Sequence, residues 1–102
     1  EKTATFGVNI CNSEQRKIAL DFANPNIDKN ELVRSLPHRI TDNGTPLLEG
    51  SLAAMECTIT KKYDGGDHTI FVGRIEGGNF DEKAEPLVYY SSGLGEFRPN
   101  QV

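Results

Sequence analysis

A single histidine stands where a polar turn opens into an apolar strand, in the stretch GGDHTIFVGR at residues 65–74. A neutral imidazole at the rim of a sheet can donate one hydrogen bond and stack on a planar ring. His68 is therefore a candidate for meeting a ligand, and the strand behind it is expected to lie in the core. The alternative is that His68 only completes the end of a hairpin. The local pattern favours this alternative, because one histidine is weak evidence for a site.

The other chemically active side chains show no spacing that is typical of catalysis or metal binding. The histidines and cysteines form neither C-x-x-C nor H-x-x-x-H, so we expect no zinc site. Cys57 lies within an apolar strand pattern, which indicates an inert buried thiol. Neither G-x-S-x-G nor a Walker loop is present. Tyr89 and Tyr90 point to opposite faces of one strand, so at most one of them can line a site.

The elements that must position these residues are mainly strands. Residues 4–11 alternate, with Phe6, Val8 and Ile10 on one face, which predicts a strand. Residues 51–61 alternate too, with Ala53, Met55, Cys57 and Ile59 on the apolar face and a mostly polar face that includes Ala54 and Glu56. We expect residues 51–61 and 68–76 to form an antiparallel hairpin that ends at Gly77-Gly78-Asn79. A last strand is predicted at 87–91, followed by a glycine-rich tail at 92–97.

Two short helices are predicted between the first strand and the rest. Asn12 and Gln15 have the spacing of a capping box, and Asn24-Pro25 ends the first helix. Asp28 is expected to cap the second helix, which Pro37 ends. A brief strand at 38–41 leads into turn residues at 42–46. Together these elements predict a mainly β fold with short helices, a small barrel with too few strands to close.

Composition narrows the class of function. The chain has 102 residues, a net charge of −4 and a pI of about 5.1, so we expect no nucleic-acid partner. No apolar run reaches the roughly 18 residues of a membrane span, so no membrane association is expected. Two cysteines within strand patterns predict free thiols in a reducing cytoplasm. Because the chain enters a strand at once after Glu1, we expect a piece of a longer protein.

Four sequence blocks, in the same order as in the family, resemble the flavin reductase-like domain, which is the FMN-binding split barrel. The best-known block of the family is matched by GDHTIFVGR at residues 66–74. The block at 44–57 contains G-x-P-L-L followed by L-A-x-x-E-C. The other two are FGVNIC at 6–11, with Gln15, Phe22 and Ala23 after it, and PLVYY at 86–90, with Gly93 after it.

The resemblance implies an NAD(P)H-dependent flavin reductase, in which hydride passes from NADH or NADPH to FMN or FAD. Such proteins are typically homodimers with the flavin near the subunit interface, and many supply reduced flavin to a partner monooxygenase. By the same resemblance, His68 is the catalytic residue beside the flavin and the nicotinamide. The residues implied to contact the cofactors are Asn9, Ile10, Cys11, Ser13, Gln15, Phe22 and Ala23, together with Tyr90 and Gly93 near the dinucleotide.

One part of the family pattern has no counterpart in this chain. The N-terminal strands of the family carry a Thr/Ser-rich segment that holds the flavin phosphate and ribityl chain. Residues 1–102 are therefore expected to be the C-terminal part of a single flavin reductase-like domain, an incomplete split barrel that binds flavin poorly alone. Two other interpretations stay open: a non-catalytic flavin-binding split barrel, and a small β-rich interaction module without a cofactor.

Overall fold

A computed structural model describes residues 4–97, and the predicted mainly β fold with short helices is confirmed. The strands of this range do not close into a barrel. They form a three-stranded sheet in the order β1-β4-β5 and two two-stranded sheets, β2-β3 and β6-β7. In chain order the elements are β1 (Thr5–Ile10), α1 (Arg16–Ala23), α2 (Lys29–Ser35), β2 (His38–Ile40), β3 (Pro46–Leu48), β4 (Ala53–Asp64), β5 (Thr69–Phe80), β6 (Leu87–Tyr90) and β7 (Gly93–Glu96).

The β4–β5 hairpin is the central element of the fold. Its pairing runs from Ala53 opposite Phe80 to Asp64 opposite Thr69, so the predicted hairpin is confirmed and is longer than expected. β1 pairs antiparallel with the inner half of β4 only, up to Thr5 opposite Thr58. Among residues 4–97, the outer half of the hairpin therefore has no third strand beside it.

The prediction that Gly77-Gly78-Asn79 ends the strand is wrong, since β5 continues to Phe80. The register shifts between Glu56 and Cys57 where β4 passes these glycines. Gly78 has a φ of 156°, and a Cβ at this position would lie 2.1 Å from the carbonyl oxygen of Ala54. Glycine here lets the two backbones approach closely while the pairing continues.

The segment predicted as a glycine-rich tail is also a strand in part. Residues 93–96 form β7, which pairs with β6 in the register Tyr90 opposite Gly93. Ser91 and Ser92, which connect the strands, have φ values of 51° and 64°. Two central residues with positive φ are the signature of a type I′ hairpin turn, which usually requires Asn or Gly. Because the turn residues are serines and not Asn or Gly, the sequence did not predict this hairpin.

Both helices form near the predicted caps. The Gln15 side chain accepts a 2.8 Å hydrogen bond from the Asn12 backbone N–H, as in a capping box, although α1 begins only at Arg16. The Asp28 side chain caps α2 by accepting from the backbone N–H groups of Asn30 and Glu31. Neither of these helices is long or apolar enough to cross a bilayer.

Much of the buried core lies on the opposite face of the sheet from the one predicted, although Cys57 on the predicted face is buried as expected. β3, which the sequence did not indicate, packs with β2 over the face of β4 that contains Ala54 and Glu56, and both of these residues are buried. Gly7 permits this approach, because a Cβ there would lie 3.0 Å from the Pro46 carbonyl oxygen. On the predicted apolar face, Ile10 is 42% exposed. The expectation that residues 70–72 lie in the core is wrong within the described range, since all three are exposed.

Candidate functional site

A mainly apolar cavity of about 210 Å³ lies between the end of β1, α1 and β3. The β1–α1 segment supplies one wall, and the short strand β3 supplies the other. Three residues that the sequence predicted near a flavin are brought together here. The lining residues are Asn9, Cys11, Ile18, Ala19, Phe22 and Leu48.

The chemistry of the cavity wall suits a planar, mostly apolar ring. Burial raises the pKa of the Cys11 thiol, which keeps it neutral. Phe22 offers an aromatic side chain, half-buried at the cavity. The Asn9 side-chain oxygen accepts a 2.9 Å hydrogen bond from the Leu48 backbone N–H. None of the hydrogen bonds found within residues 4–97 involves the Asn9 amide nitrogen, so its two N–H donors are unused there.

Gln15 is engaged inside the protein. It is 8% exposed, and its side-chain oxygen accepts from the Asn12 backbone N–H. Asn12 in turn donates its side-chain amide to the Gly50 carbonyl oxygen at 2.6 Å. These bonds fasten the β1–α1 junction to the segment before β4. Gln15 therefore lies within this junction and does not line the cavity.

The remaining predicted residues of this segment surround the cavity without lining it. Ile10 lies on the other face of β1, and Ala23 is exposed at the end of α1. Ser13 lines a neighbouring polar cavity of about 300 Å³ that includes Asp81 and Lys83. The Ser13 backbone N–H donates to the Glu85 carbonyl oxygen at 2.7 Å, which joins the β1–α1 segment to the loop before β6.

Tyr90 and Gly93 lie opposite each other in the β6–β7 hairpin. This hairpin is connected to the cavity segment by a 3.2 Å hydrogen bond from the Leu87 N–H to the Cys11 carbonyl oxygen. The Tyr90 side chain is 82% exposed and lines none of the cavities described above. The hairpin therefore borders the site without closing it.

His68 lies at the tip of the β4–β5 hairpin, where its side chain is 81% exposed. Its Nδ1 lies 2.6 Å from the Asp67 carboxylate, so Nδ1–H donates and Nε2 points away from that pair. Asn9 is opposite Ala54, and β4 ends at Asp64 beside the tip. The intervening strand spans roughly 33 Å at about 3.3 Å per residue. Within one chain, His68 and the cavity are therefore at opposite ends of β4.

Glu56 is a functional candidate that the sequence assigned to a polar outer face. It is 8% exposed and contacts the turn between β2 and β3. Hydrogen bonds from Thr41, and then from Thr45 and Asn43, hold the pKa of its carboxyl below the ordinary value, against the opposing effect of burial. The only sequence signal was its place in the block L-A-x-x-E-C. Three further residues line the cavity and were not predicted as site residues, namely Ile18, Ala19 and Leu48.

Within residues 4–97, no group of three histidine, cysteine, aspartate or glutamate side chains is arranged to hold a metal ion. His38 Nδ1 makes a 2.7 Å hydrogen bond with the Leu36 carbonyl oxygen. Cys11 and Cys57 are free thiols.

The profile of the flavin reductase like domain matches residues 1–98. The chain belongs to the flavin reductase-like domain family. It is 37% identical over 97 residues to an NADH-dependent flavin reductase of Rhodococcus sp., covering 95% of this chain and 50% of that one. It is 30% identical to HsaB of Mycobacterium tuberculosis, the reductase subunit of a flavin-dependent monooxygenase, covering all of this chain and 54% of HsaB.

A solved member of the family has the same fold. The NADH:FAD oxidoreductase SgcE6 of Streptomyces globisporus, in complex with NAD and FAD fragments, superposes with a TM-score of 0.80 at 28% identity. The match covers 92% of this chain and 56% of SgcE6. This flavin reductase-like chain thus spans about half the length of the curated relatives it matches. The predicted split-barrel class agrees with these structural neighbours.

Proposed function

We propose that the protein is an NAD(P)H-dependent flavin reductase. The observation that carries the proposal is the cavity where Asn9, Cys11 and Phe22 meet, in a chain whose family match covers residues 1–98. When bound, FMN or FAD supplies the chemistry by accepting a hydride from the nicotinamide of NADH or NADPH. The protein contributes binding, orientation and exclusion of water.

The cavity residues have separate roles in this proposal. Phe22 and Leu48 cover one side of the flavin ring and exclude water, while the free amide N–H of Asn9 donates to a ring oxygen or nitrogen. Cys11 and Ile10 contribute backbone near the ring, and Ser13 and Ala23 border it. At about 210 Å³, the cavity is smaller than the roughly 300–1,000 Å³ of ordinary small-molecule pockets, so it receives only part of a flavin.

We propose further that the protein works as a homodimer. His68 and the cavity are separated by most of the length of β4, so both serve one flavin only if two copies contribute to each site. The outer hairpin carries exposed apolar residues that suit such a contact, namely Tyr63, Ile70, Phe71 and Val72. In this arrangement His68 of one copy meets the flavin and nicotinamide held by the other, bordered by Tyr90 and Gly93.

We propose that residues 1–102 are the C-terminal part of a single flavin reductase-like domain. The chain covers about half of its relatives, and the apolar face of its sheet is open, with Ile75 at 64% and Phe80 at 69% exposure. A further segment packed on this face would complete a barrel. The 102-residue chain should then bind a dye specific for apolar surface, and a form extended at its N-terminus should not.

The relatives support a partner, and the free cysteines support a location. HsaB is the reductase subunit of a flavin-dependent monooxygenase, and we propose that this protein likewise supplies reduced flavin to a monooxygenase component. The free thiols Cys11 and Cys57 are compatible with a cytoplasmic location.

The test is a flavin titration followed by NADH and NADPH oxidation. We expect flavin absorbance that bleaches on addition of reduced nicotinamide and turnover when free flavin is in excess. Phe22→Ala should weaken flavin binding about tenfold or more, because it removes an aromatic wall. Leu20→Ala is the matched control, since Leu20 is on the same helix and lines no part of the cavity. Bleaching without turnover would indicate a non-catalytic flavin binder, and no flavin binding by an extended form would exclude the proposal.

A further inference from the structure

The buried carboxylate of Glu56 is bonded entirely to one turn. Its Oε2 accepts a 2.6 Å hydrogen bond from the Thr41 hydroxyl, and its Oε1 accepts a 3.3 Å bond from the Asn43 side-chain amide. Both donors belong to the connection between β2 and β3, whereas Glu56 belongs to β4. The carboxylate therefore fastens the β2–β3 hairpin to the central sheet.

Thr41 links Glu56 to the start of β3. Its hydroxyl oxygen accepts a 3.0 Å hydrogen bond from the Thr45 backbone N–H, and its own N–H donates to the Thr45 carbonyl oxygen at 2.9 Å. A hydroxyl has one proton, and an ionised carboxylate can only accept. The Thr41 hydroxyl therefore donates its only proton to Glu56, and its oxygen is free to accept the hydrogen bond from the Thr45 N–H.

β3 begins directly after Thr45 and ends at Leu48 in the cavity wall. Leu48 is 6% exposed, and its N–H donates to the Asn9 side chain at 2.9 Å. A strand of three residues has no slack between these two attachments. A displacement of the turn at Thr45 therefore reaches Leu48 and Asn9.

We propose that Glu56 is a positioning residue, which acts through Thr41 and β3 to hold Leu48 and Asn9 at the wall of the flavin cavity. This inference rests on the proposed function, and it assigns the residue that sets the width of the cavity. Glu56 does not touch the flavin and takes no part in hydride transfer.

The chain offers a matched control in Glu76. Its carboxylate accepts from the Thr58 hydroxyl at 2.5 Å and from Arg74 at 3.1 Å, so it makes the same kind of Thr–Glu bond on the same sheet. Neither Thr58 nor Arg74 belongs to β2 or β3, so this bond does not lead to Leu48. Glu56→Gln and Glu76→Gln each remove a Thr–Glu carboxylate bond, and only the bond of Glu56 leads to β3. Glu76 also differs from Glu56 in its exposure, 37% of the side chain, and in its ion pair with Arg74.

The experiment measures flavin affinity, turnover and amide exchange in the full-length protein. In Glu56→Gln we expect the Kd for FMN to rise about tenfold, because a hydrogen bond to a charged group is lost. Turnover at saturating flavin should change less than twofold, and hydrogen exchange at the Leu48 amide should accelerate. Thr41→Val should reproduce these changes, Thr41→Ser should restore wild-type values, and Glu76→Gln should alter none of them.

Two results overturn the proposal. One is an equal change in FMN affinity in the Glu56→Gln and Glu76→Gln variants, and the other is unchanged Leu48 exchange in both Glu56→Gln and Thr41→Val. If the wild-type protein bound no flavin, the proposed function would fall, while the Leu48 exchange comparison would still decide whether Glu56 positions β3. If Glu56→Gln does not fold, the Thr41→Val and Thr41→Ser pair gives the same decision.

Discussion

The ring of Phe6 on β1 reaches across β4 to cover Gly73 on β5. A Cβ at Gly73 would lie 2.7 Å from Phe6 Cζ and 3.0 Å from the Cβ of Cys57. Phe6 is opposite Cys57 in the β1–β4 pairing, and Gly73 is opposite Ile59 in the β4–β5 pairing. One aromatic contact thus joins all three strands of the central sheet and buries Cys57, although much of the face around it is open.

Replacing Gly73 by alanine should destabilise the sheet, because the new methyl group has no space beneath the Phe6 ring. We expect a loss of about 1–3 kcal/mol in the free energy of unfolding, as for an overpacked core, measured by urea denaturation. Gly77→Ala is the control, since a Cβ there has no neighbour within 4 Å. Phe6→Leu should recover part of the loss in Gly73→Ala. Equal losses at Gly73 and Gly77 would contradict the contact.

Stability should depend on pH through Glu56 and Glu76. The pKa of each is lowered in the folded protein, chiefly by the hydroxyl of Thr41 for Glu56 and of Thr58 for Glu76. Protonation therefore favours the unfolded chain. The stabilisation is complete above the ordinary glutamate value of about 4.3 and is lost as the pH falls through the lower folded-state values.

We expect the Tm of the wild-type protein to fall more steeply below about pH 5 than that of Glu56→Gln. The Glu56→Gln/Glu76→Gln double variant should show a flatter profile than either single variant. Thermal unfolding followed by circular dichroism over this pH range checks the order. Identical slopes in the wild-type protein and the double variant would refute the assignment.

The sequence predicted the elements that have a clear period and missed those held by pairing alone. Residues 4–11 and 51–61 alternate over enough positions to indicate strands, and residues 68–76 follow a turn with an apolar run; all three strands are confirmed within one to four residues at their ends. β3 has three residues and begins at a proline, so no period could be read from it. β7 contains two glycines, and it is a strand because it pairs with β6, with Tyr90 opposite Gly93.

The alternation of residues along β4 also could not show which face of this strand is covered by other elements. It placed Ala54 and Glu56 together on one face of β4, which is correct, and took that face as the outer one, which is wrong. The cover comes from β3, which was not foreseen. The same limit applies to the site. The sequence blocks grouped Asn9, Cys11 and Phe22, which line one cavity in the structure, whereas only the strand lengths show that His68 is distant from them.

The Ser91-Ser92 turn should gain stability when its residues are replaced by Asn and Gly. Both serines have a positive φ. This conformation is unfavourable for a residue with a Cβ, whereas Asn-Gly adopts it readily in a type I′ turn. We expect Ser91→Asn/Ser92→Gly to raise the free energy of unfolding by about 1 kcal/mol in urea denaturation. Ala19→Gly, in the middle of helix α1, should instead lower it by roughly 0.5–1 kcal/mol. A loss in the turn variant would argue against the I′ geometry.

We propose that His68 of one copy completes the flavin site of the other, and this arrangement predicts how much activity a mixed dimer of two impaired variants recovers. Phe22→Ala removes the cavity wall and keeps His68, whereas His68→Ala keeps the cavity and removes the imidazole, so each homodimer should oxidise NADH poorly. A mixed dimer has one site with both groups intact and one site with neither. Random assembly of equal amounts should therefore restore about one quarter of the wild-type rate, because half of the dimers are mixed and half of their sites are intact.

The measurement is NADH oxidation with excess free flavin, after the two full-length variants are unfolded and refolded together. Mixing the folded homodimers without exchange is the control, and a Phe22→Ala/His68→Ala double variant mixed with either single variant should restore nothing beyond that variant's own rate. If both groups acted within one chain, co-refolding would give only the average of the two poor rates. The strand length between Asn9 and the hairpin tip favours the dimeric outcome, because β4 holds the two ends roughly 33 Å apart at about 3.3 Å per residue.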